Sequence, residues 1–126
     1  MTALILDDIE PTRLKSANQR LHHHVRADVA RYWRKLGADL IRDNYGHAEL
    51  GETWYQRARI VVTLRWPTLH HRDSHNYYPY VIKPLVDGMV DARLLPGDDD
   101  RYLIGPDVRR DFERGPHRIV IEIETP

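Results

Sequence analysis

Apolar positions that recur with a period of two predict the strands of this chain. Residues 118–124 alternate isoleucine with valine and glutamate, which is typical of a strand buried on one face. Residues 57–66 are dense in β-branched side chains and end before a proline, so they predict a second strand. The short apolar runs at residues 3–6 and 101–104 predict two more strands, and a break is expected after the latter, at residues 105–107.

Apolar positions at three- and four-residue steps predict two amphipathic helices. The first runs from Val25 to near Gly46, with Trp33 facing the core. The second covers residues 77–92, but Pro84 does not suit a helix interior because it lacks the backbone N–H. The second helix is therefore predicted either to start late, around Val81, or to kink at Pro84.

The predicted order of elements is β, α, β, α, β, β, which favours an α+β fold of two layers with helices packed on one sheet. The 126 residues, 1–126, have the size of one domain. The chain has no cysteine, which excludes a disulfide framework and a thiolate zinc site and suits a reducing cytoplasm. No stretch approaches the length of a membrane span and no basic leader precedes the first apolar run, so we expect a cytoplasmic protein without a membrane partner.

The charges are balanced in number but not in position. Nineteen basic and nineteen acidic residues give a net charge of zero, whereas nucleic-acid-binding domains are often strongly basic. Residues 1–72 hold 12 Lys or Arg against 8 Asp or Glu, and residues 73–126 hold 7 against 11. A net of +4 beside a net of −4 suits a surface that grips phosphate next to a centre that holds a cation, although chance produces such splits too.

Oxygen-rich side chains at two places predict a divalent-metal site. Asp73, His75 and Asn76 directly follow the strand at residues 57–66, and an aspartate triplet at residues 98–100 follows the second helix. Residues two apart in an extended segment point to the same side, so Asp73 and His75 are expected to face one ion. Mg²⁺ prefers carboxylate oxygens and keeps several waters. The simpler interpretation is that the triplet is only a solvated turn beside glycine and proline.

The loop before the first helix offers hydrogen-bond donors to phosphates. Lys15 and Arg20 lie near a histidine triplet, residues 22–24. Adjacent side chains diverge, so we expect these histidines to contact phosphate or solvent rather than one shared metal ion. Lys83, on the second helix, would orient a phosphate if it projected toward Asp73, and would otherwise be a solvated surface group.

Four segments, taken in order, resemble the RusA family of Holliday junction resolvases, many of which are carried by phages and prophages. The segments are SANQRLHHH in the basic loop, Arg72-Asp73-Ser74-His75-Asn76, Lys83 with PLVDGMVDA, and the turn Asp98-Asp99-Asp100. The resemblance covers nearly the whole chain. It implies a mixed sheet of about four strands packed by two main helices. It also implies a Mg²⁺-dependent endodeoxyribonuclease that cleaves four-way junctions or other branched DNA as a homodimer.

The resemblance also implies roles for particular residues. Asp73 matches the first catalytic aspartate, Lys83 the helix lysine, and Asp99 and Asp100 the acidic pair, of which Asp100 is favoured as essential. The predicted catalytic residues are therefore Asp73, Lys83, Asp99 and Asp100. The predicted metal ligands are Asp73, His75, Asp99 and Asp100. The predicted DNA-binding residues are Lys15, Asn18, Arg20, His22, Arg72 and Asn76.

One departure from the family pattern keeps other functions open. His75 replaces the second aspartate of the family's acidic motif, and imidazole is a softer donor that shifts preference from Mg²⁺ toward Mn²⁺. A first alternative is therefore a branched-DNA-binding protein with weakened catalysis. A second is a non-catalytic interaction module whose exposed aromatic residues form a protein interface. The aromatic residues of that second alternative are Trp54, Trp66, Tyr77, Tyr78 and Tyr80.

Overall fold

The computed structural model describes all residues, Met1–Pro126, as four strands and two main helices. Their bounds are β1 (Thr2–Leu6), α1 (His23–Tyr45), β2 (Ala58–Arg65), α2 (Lys83–Asp91), β3 (Leu103–Arg110) and β4 (Arg118–Glu124). The predicted α+β fold, with two helices on a four-stranded mixed sheet, is confirmed. No helix has both the length and the apolar character needed to cross a membrane.

The strand order of the sheet is β1-β4-β2-β3. β4 lies antiparallel between β1 and β2, and β3 pairs parallel with β2. Because β2 and β3 run in the same direction, their last residues, Arg65 and Arg110, lie at the same edge of the sheet. The segments that follow both strands therefore leave from this edge, which holds the candidate site.

The core between sheet and helices is built from the predicted alternation. Ile119, Ile121 and Ile123 of β4 are buried, as are alternate residues of β2. Trp33 of α1 is also buried, as predicted, and its indole Nε1 donates a hydrogen bond to the carbonyl of Arg13 at 2.9 Å. This bond ties the segment after β1 to the first helix.

The two helices touch through their backbones. A Cβ atom placed on Gly37 of α1 would lie 2.0 Å from the carbonyl oxygen of Leu85, and one on Gly88 of α2 would lie 1.9 Å from that of Arg34. Arg34 also pairs with Asp91 across the crossing, at 2.5 Å. The crossing therefore requires glycine at both positions, because any side chain would separate the helices.

The second helix begins late, and Pro84 explains where. α2 starts at Lys83 with Pro84 in its first turn, where no backbone N–H is needed. A 3₁₀ turn (Ser74–Tyr77) and a π-helical turn (Tyr78–Ile82) precede it. Of the two outcomes expected from the sequence, the late start is correct, two residues beyond Val81.

The predicted end of the third strand is wrong. The break expected at residues 105–107 lies inside β3, which runs to Arg110. The pairing of β2 with β3 shifts register there, and the strand continues beyond the irregularity. Gly105 has a φ of 102°, and a Cβ on it would lie 2.7 Å from the carbonyl oxygen of Ile60. Glycine at this position therefore permits close pairing with β2 and does not end the strand.

Candidate nucleic-acid and metal site

Two predicted segments that are distant in sequence meet at the edge where β2 ends. A cavity of about 350 Å³ is lined by residues of both, namely Ser16, Asn18, His71, Arg72, Asp73, Asn76 and Tyr77. The backbone N–H of Ala17 donates to the carbonyl of Asn76 at 2.6 Å and joins the two segments. Asn18, Arg72, Asp73 and Asn76, all predicted site residues, thus surround one space.

Asp73 is oriented by its own backbone. Its φ and ψ are extended, and its Oδ1 accepts a hydrogen bond from the N–H of His75 at 3.0 Å, which caps the following 3₁₀ turn. The side chain is exposed, and Oδ2 accepts no hydrogen bond from the protein. One carboxylate oxygen is therefore held by the fold while the other remains available to a ligand.

The reason given from the sequence for His75 and Asp73 facing one ion does not hold. The argument required an extended segment, but Ser74–Tyr77 is a 3₁₀ turn, so the two-residue periodicity stops at Asp73. His75 is exposed and is absent from the residues that line the cavity. The assumption of an extended segment was wrong because the cap at Asp73 starts a helical turn one residue later.

The aspartate triplet is engaged by cations of the protein. Lys83 Nζ lies 2.6 Å from Asp98 Oδ2 and 2.7 Å from Asp87 Oδ1, so the helix lysine faces the acidic turn. Asp99 pairs with Arg101 through both oxygens, at 3.0 and 2.8 Å. Asp100 is exposed, and the neighbouring Arg101 pairs with Asp99 rather than with it.

These pairs shift the pKa values of the groups involved. Burial alone would lower the pKa of Lys83, but its hydrogen bonds to Asp87 and Asp98 outweigh burial and raise it well above its usual value. The hydrogen bond from Lys83 lowers the pKa of Asp98, and the side chain of Arg101 lowers that of Asp99 to about 2. The two carboxylates and the ammonium therefore stay charged at neutral pH.

The four predicted metal ligands do not form a preformed cluster. Only one group of three or more histidine and acidic side chains has its donor atoms within 4.8 Å of one another, and it is the histidine triplet His22, His23 and His24. Asp99 is instead paired with Arg101, at 2.8 Å. The shared centre of Asp73, His75, Asp99 and Asp100 stays a prediction, and it requires these donor atoms to lie closer together than they do here.

The histidine triplet itself differs from the prediction. Its exposed rings do not diverge, since their centroids lie 4.0 to 5.0 Å apart. His22 is the N-cap of α1, and its Nδ1 accepts a hydrogen bond from the N–H of His24 at 3.3 Å. The side chains converge because the backbone turns into the helix at this point. Any metal titration of the wild type therefore needs a comparison variant without this group.

Arg72 is fixed at the mouth of the cavity. Its guanidinium lies 4.4 Å from the ring centre of Trp66, and it donates hydrogen bonds to the carbonyl and hydroxyl oxygens of Thr68 at 3.1 and 2.8 Å. Trp66 also packs edge-on against His117, with ring centres 5.5 Å apart. Arg72 forms no ion pair, so the stack presents its positive charge next to the cavity that Asp73 also lines.

The stability of the protein is expected to fall below about pH 6.5 through His117. Burial and the nearby charge of Arg72 lower the pKa of His117 from its usual 6.5, so the folded state favours the neutral ring. The stabilisation is complete above the unfolded pKa and is lost as the pH falls through the folded one. Urea midpoints at pH 7.5 and 5.5 should therefore differ more in the wild type than in His117→Gln. The exposed His47 supplies the control, because His47→Gln should keep the wild-type difference.

The remaining predicted DNA-binding residues lie outside this cavity. Lys15 is half-buried, Arg20 and His22 are exposed, and none of them lines it. The aromatic residues of the interaction-module alternative are mostly packed inward: Trp66 is 7 % exposed and the three tyrosines pack against the core. This leaves Trp54 as the one clearly exposed member of that set.

Several residues that line the site were not singled out from the sequence. Ser16 and His71 line the first cavity, and Arg109, Arg110 and Phe112 line a second one that shares Asp73. Tyr77, which also lines the first cavity, was named only for the protein-interface alternative. Asp87, which holds Lys83, was also missed, although a lysine followed four residues later by an aspartate on a helix is a readable pair. The residues at the end of β3 were missed because the strand was predicted to end before them.

A scan against protein-family models finds no match for this chain, and a search of curated proteins finds no significant one either.

Proposed function

We propose that this protein is a divalent-metal-dependent phosphodiesterase that acts on nucleic acid. Within that class, it is proposed to be a structure-specific endodeoxyribonuclease that cleaves Holliday junctions or other branched DNA, as the RusA family does. One observation carries the proposal: the basic-loop segment and the Arg72–Asp73 segment converge on one open cavity. That cavity places a carboxylate with an available oxygen beside a fixed guanidinium.

The donor set around the cavity suits Mg²⁺ better than a softer ion. Mg²⁺ is usually held by one or two carboxylates, several waters and substrate phosphates rather than by a cage of protein ligands. Asp73 offers the carboxylate, and Asn18 and Asn76 bring amide oxygens to the same cavity. Participation of His75 would favour Mn²⁺ over Mg²⁺.

Each of three residues has a different role in the proposed phosphodiester hydrolysis. A bound divalent ion supplies an activated water and neutralises phosphate oxygens. Asp73 would hold that ion through Oδ2, the oxygen that its cap leaves unused. Arg72, fixed on Trp66, binds the phosphate and balances its charge. Lys83 acts indirectly, because its ion pairs with Asp87 and Asp98 set the position of the acidic turn that holds Asp99 and Asp100.

Lys15, Arg20 and His22 extend this surface along the basic loop, where they would contact backbone phosphates and make binding sensitive to salt. Resolution of a four-way junction requires two cuts in opposed strands. A homodimer with one site per subunit is therefore proposed, in the cytoplasm of a bacterium or a phage-infected host.

Wild-type protein incubated with a labelled four-way junction and Mg²⁺ should produce paired, symmetric cuts near the branch point. Linear duplex of the same sequence should remain intact, and EDTA should stop the reaction. Repeating the assay with Mn²⁺ tests the role of His75, since a rate gain with Mn²⁺ that His75→Asp removes would assign this residue to the metal. Intact junction in both metals, at protein concentrations that bind it fully, would refute the nuclease proposal.

The second candidate function is junction binding without cleavage. The ion pair of Asp99 with Arg101 favours it, because it occupies a carboxylate that the metal centre would need. It predicts a stable shift of junction DNA with no cut product in either metal.

A further inference from the structure

A second cavity, of about 590 Å³, adjoins the first at Asp73. The two share His71, Arg72 and Asp73, and the second extends to the end of β3, where Arg109, Arg110 and Phe112 form its wall. The parallel pairing of β2 and β3 brings these residues to the edge that carries Asp73. The side chain of Ser74 strengthens the link by donating to the carbonyl of Val108 at 3.2 Å.

Phe112 projects into solvent at this wall, with 81 % of its surface exposed. The neighbouring backbone is fixed: Asp111 donates its N–H to the carbonyl of Leu64 at 2.9 Å, and its Oδ1 accepts from the N–H of Glu113 at 2.9 Å. The ring is therefore held outward by a capped turn. Core packing does not account for a phenylalanine in this position, because the ring buries little surface.

Arg110 lies beneath the ring and lacks a partner. Its guanidinium carbon is 5.9 Å from the centre of the Phe112 ring, and its Nε is buried without a hydrogen bond. Arg109 is paired with Asp107 at 2.8 Å, so it contributes less free charge than Arg110 and Arg72. Arg110 lines the second cavity and forms no ion pair, so its positive charge is available to an anionic ligand there.

We infer that Phe112 and Arg110 form a nucleotide-binding subsite beside Asp73. The ring stacks on a base left unpaired at a DNA branch point, and the guanidinium contacts the adjoining phosphate. This inference rests on the proposed function and extends it by naming how a branch is distinguished from duplex.

The side chains that line the second cavity favour an unpaired nucleotide as its ligand. A base inside a duplex has both faces covered, whereas an unpaired base offers a free face to an aromatic ring. Two arginines without carboxylate partners, Arg72 and Arg110, favour a polyanion over an apolar protein surface. The shared wall at Asp73 places the stacked nucleotide next to the phosphate that the first cavity would receive.

The test measures binding separately from cleavage. A four-way junction with 2-aminopurine at the branch is titrated with protein in Ca²⁺, and its affinity and fluorescence are compared with those of linear duplex. Phe112→Ala should weaken junction binding by roughly 5- to 100-fold, leave duplex binding unchanged and abolish the 2-aminopurine change. Phe112→Trp should restore both the junction affinity and the 2-aminopurine change. Arg110→Gln should reduce the slope of log affinity against log salt by about 1.

Trp54 provides the matched control. It is an exposed aromatic residue that lines a separate cavity with Arg57 and Thr125, at the other end of β2, so Trp54→Ala should not change branch preference. Junction cleavage by the wild type, with equal branch preference in Phe112→Ala, would overturn the subsite and leave the nuclease proposal standing. Branch binding that depends on Phe112, without any cleavage, would overturn the nuclease proposal and leave the subsite standing. A wild type that binds no DNA would overturn both.

Discussion

Asp73→Asn is expected to lower the rate of junction cleavage by roughly a hundred- to a thousand-fold, while junction affinity in Ca²⁺ changes only a few-fold. Asparagine caps helical turns as well as aspartate does, so its amide oxygen should keep the hydrogen bond from the N–H of His75. The substitution therefore removes the negative charge at Oδ2 and little else. Single-turnover cleavage of a labelled junction measures the rate, and fluorescence anisotropy measures the affinity.

The control for this substitution is Asp39→Asn. Asp39 is a carboxylate of α1 paired with Lys35 at 2.7 Å, and it lines none of the cavities at the β2 edge. Its replacement removes the same charge and should leave the cleavage rate within about two-fold, as expected for an exposed ion pair. If Asp73→Asn cleaved the junction at the wild-type rate, the chemistry would belong to another part of the molecule.

The elements with a strong repeat were predictable from the sequence. α1, β2 and β4 match their periodic segments because each buries one face against the same core. The third strand was predicted too short because Gly105 and Pro106 usually mark turns. In the fold they occupy an irregularity where Gly105 closely approaches the carbonyl of Ile60, a contact that lies far away in sequence.

The site was predictable only where local sequence determines geometry. Placing Asp73 beyond the end of β2 needed only the strand and the polar segment after it. The meeting of Asn18 with Asp73 and the addition of Arg110 and Phe112 depend on strand order and on the parallel pairing. No repeat pattern encodes either. The convergence of the histidine triplet likewise depends on one backbone turn at His22.

The largest expected effect on stability comes from Gly88→Ala. The added methyl carbon would lie 1.9 Å from the carbonyl oxygen of Arg34, and backbone cannot move aside as a flexible side chain does. We expect a loss of about 3 kcal/mol in the free energy of unfolding, at the upper end of overpacking effects. That figure already includes the better helix propensity of alanine, which is worth about 1 kcal/mol and offsets part of the strain. Urea unfolding followed by circular dichroism measures the difference.

Gly97→Ala is the control, because its Cβ would meet only side-chain atoms, the edge of the Tyr102 ring at 3.3 Å and Asp99 Oδ2 at 3.9 Å. It should change the unfolding free energy by less than about 1 kcal/mol. Gly37→Ala should resemble Gly88→Ala, since its methyl would lie 2.0 Å from the carbonyl oxygen of Leu85. The double variant should lose less than the sum of the two single losses, because one methyl already separates the helices at the crossing they share. Fully additive losses would mean that the two glycines act at independent contacts, contrary to the backbone packing described here.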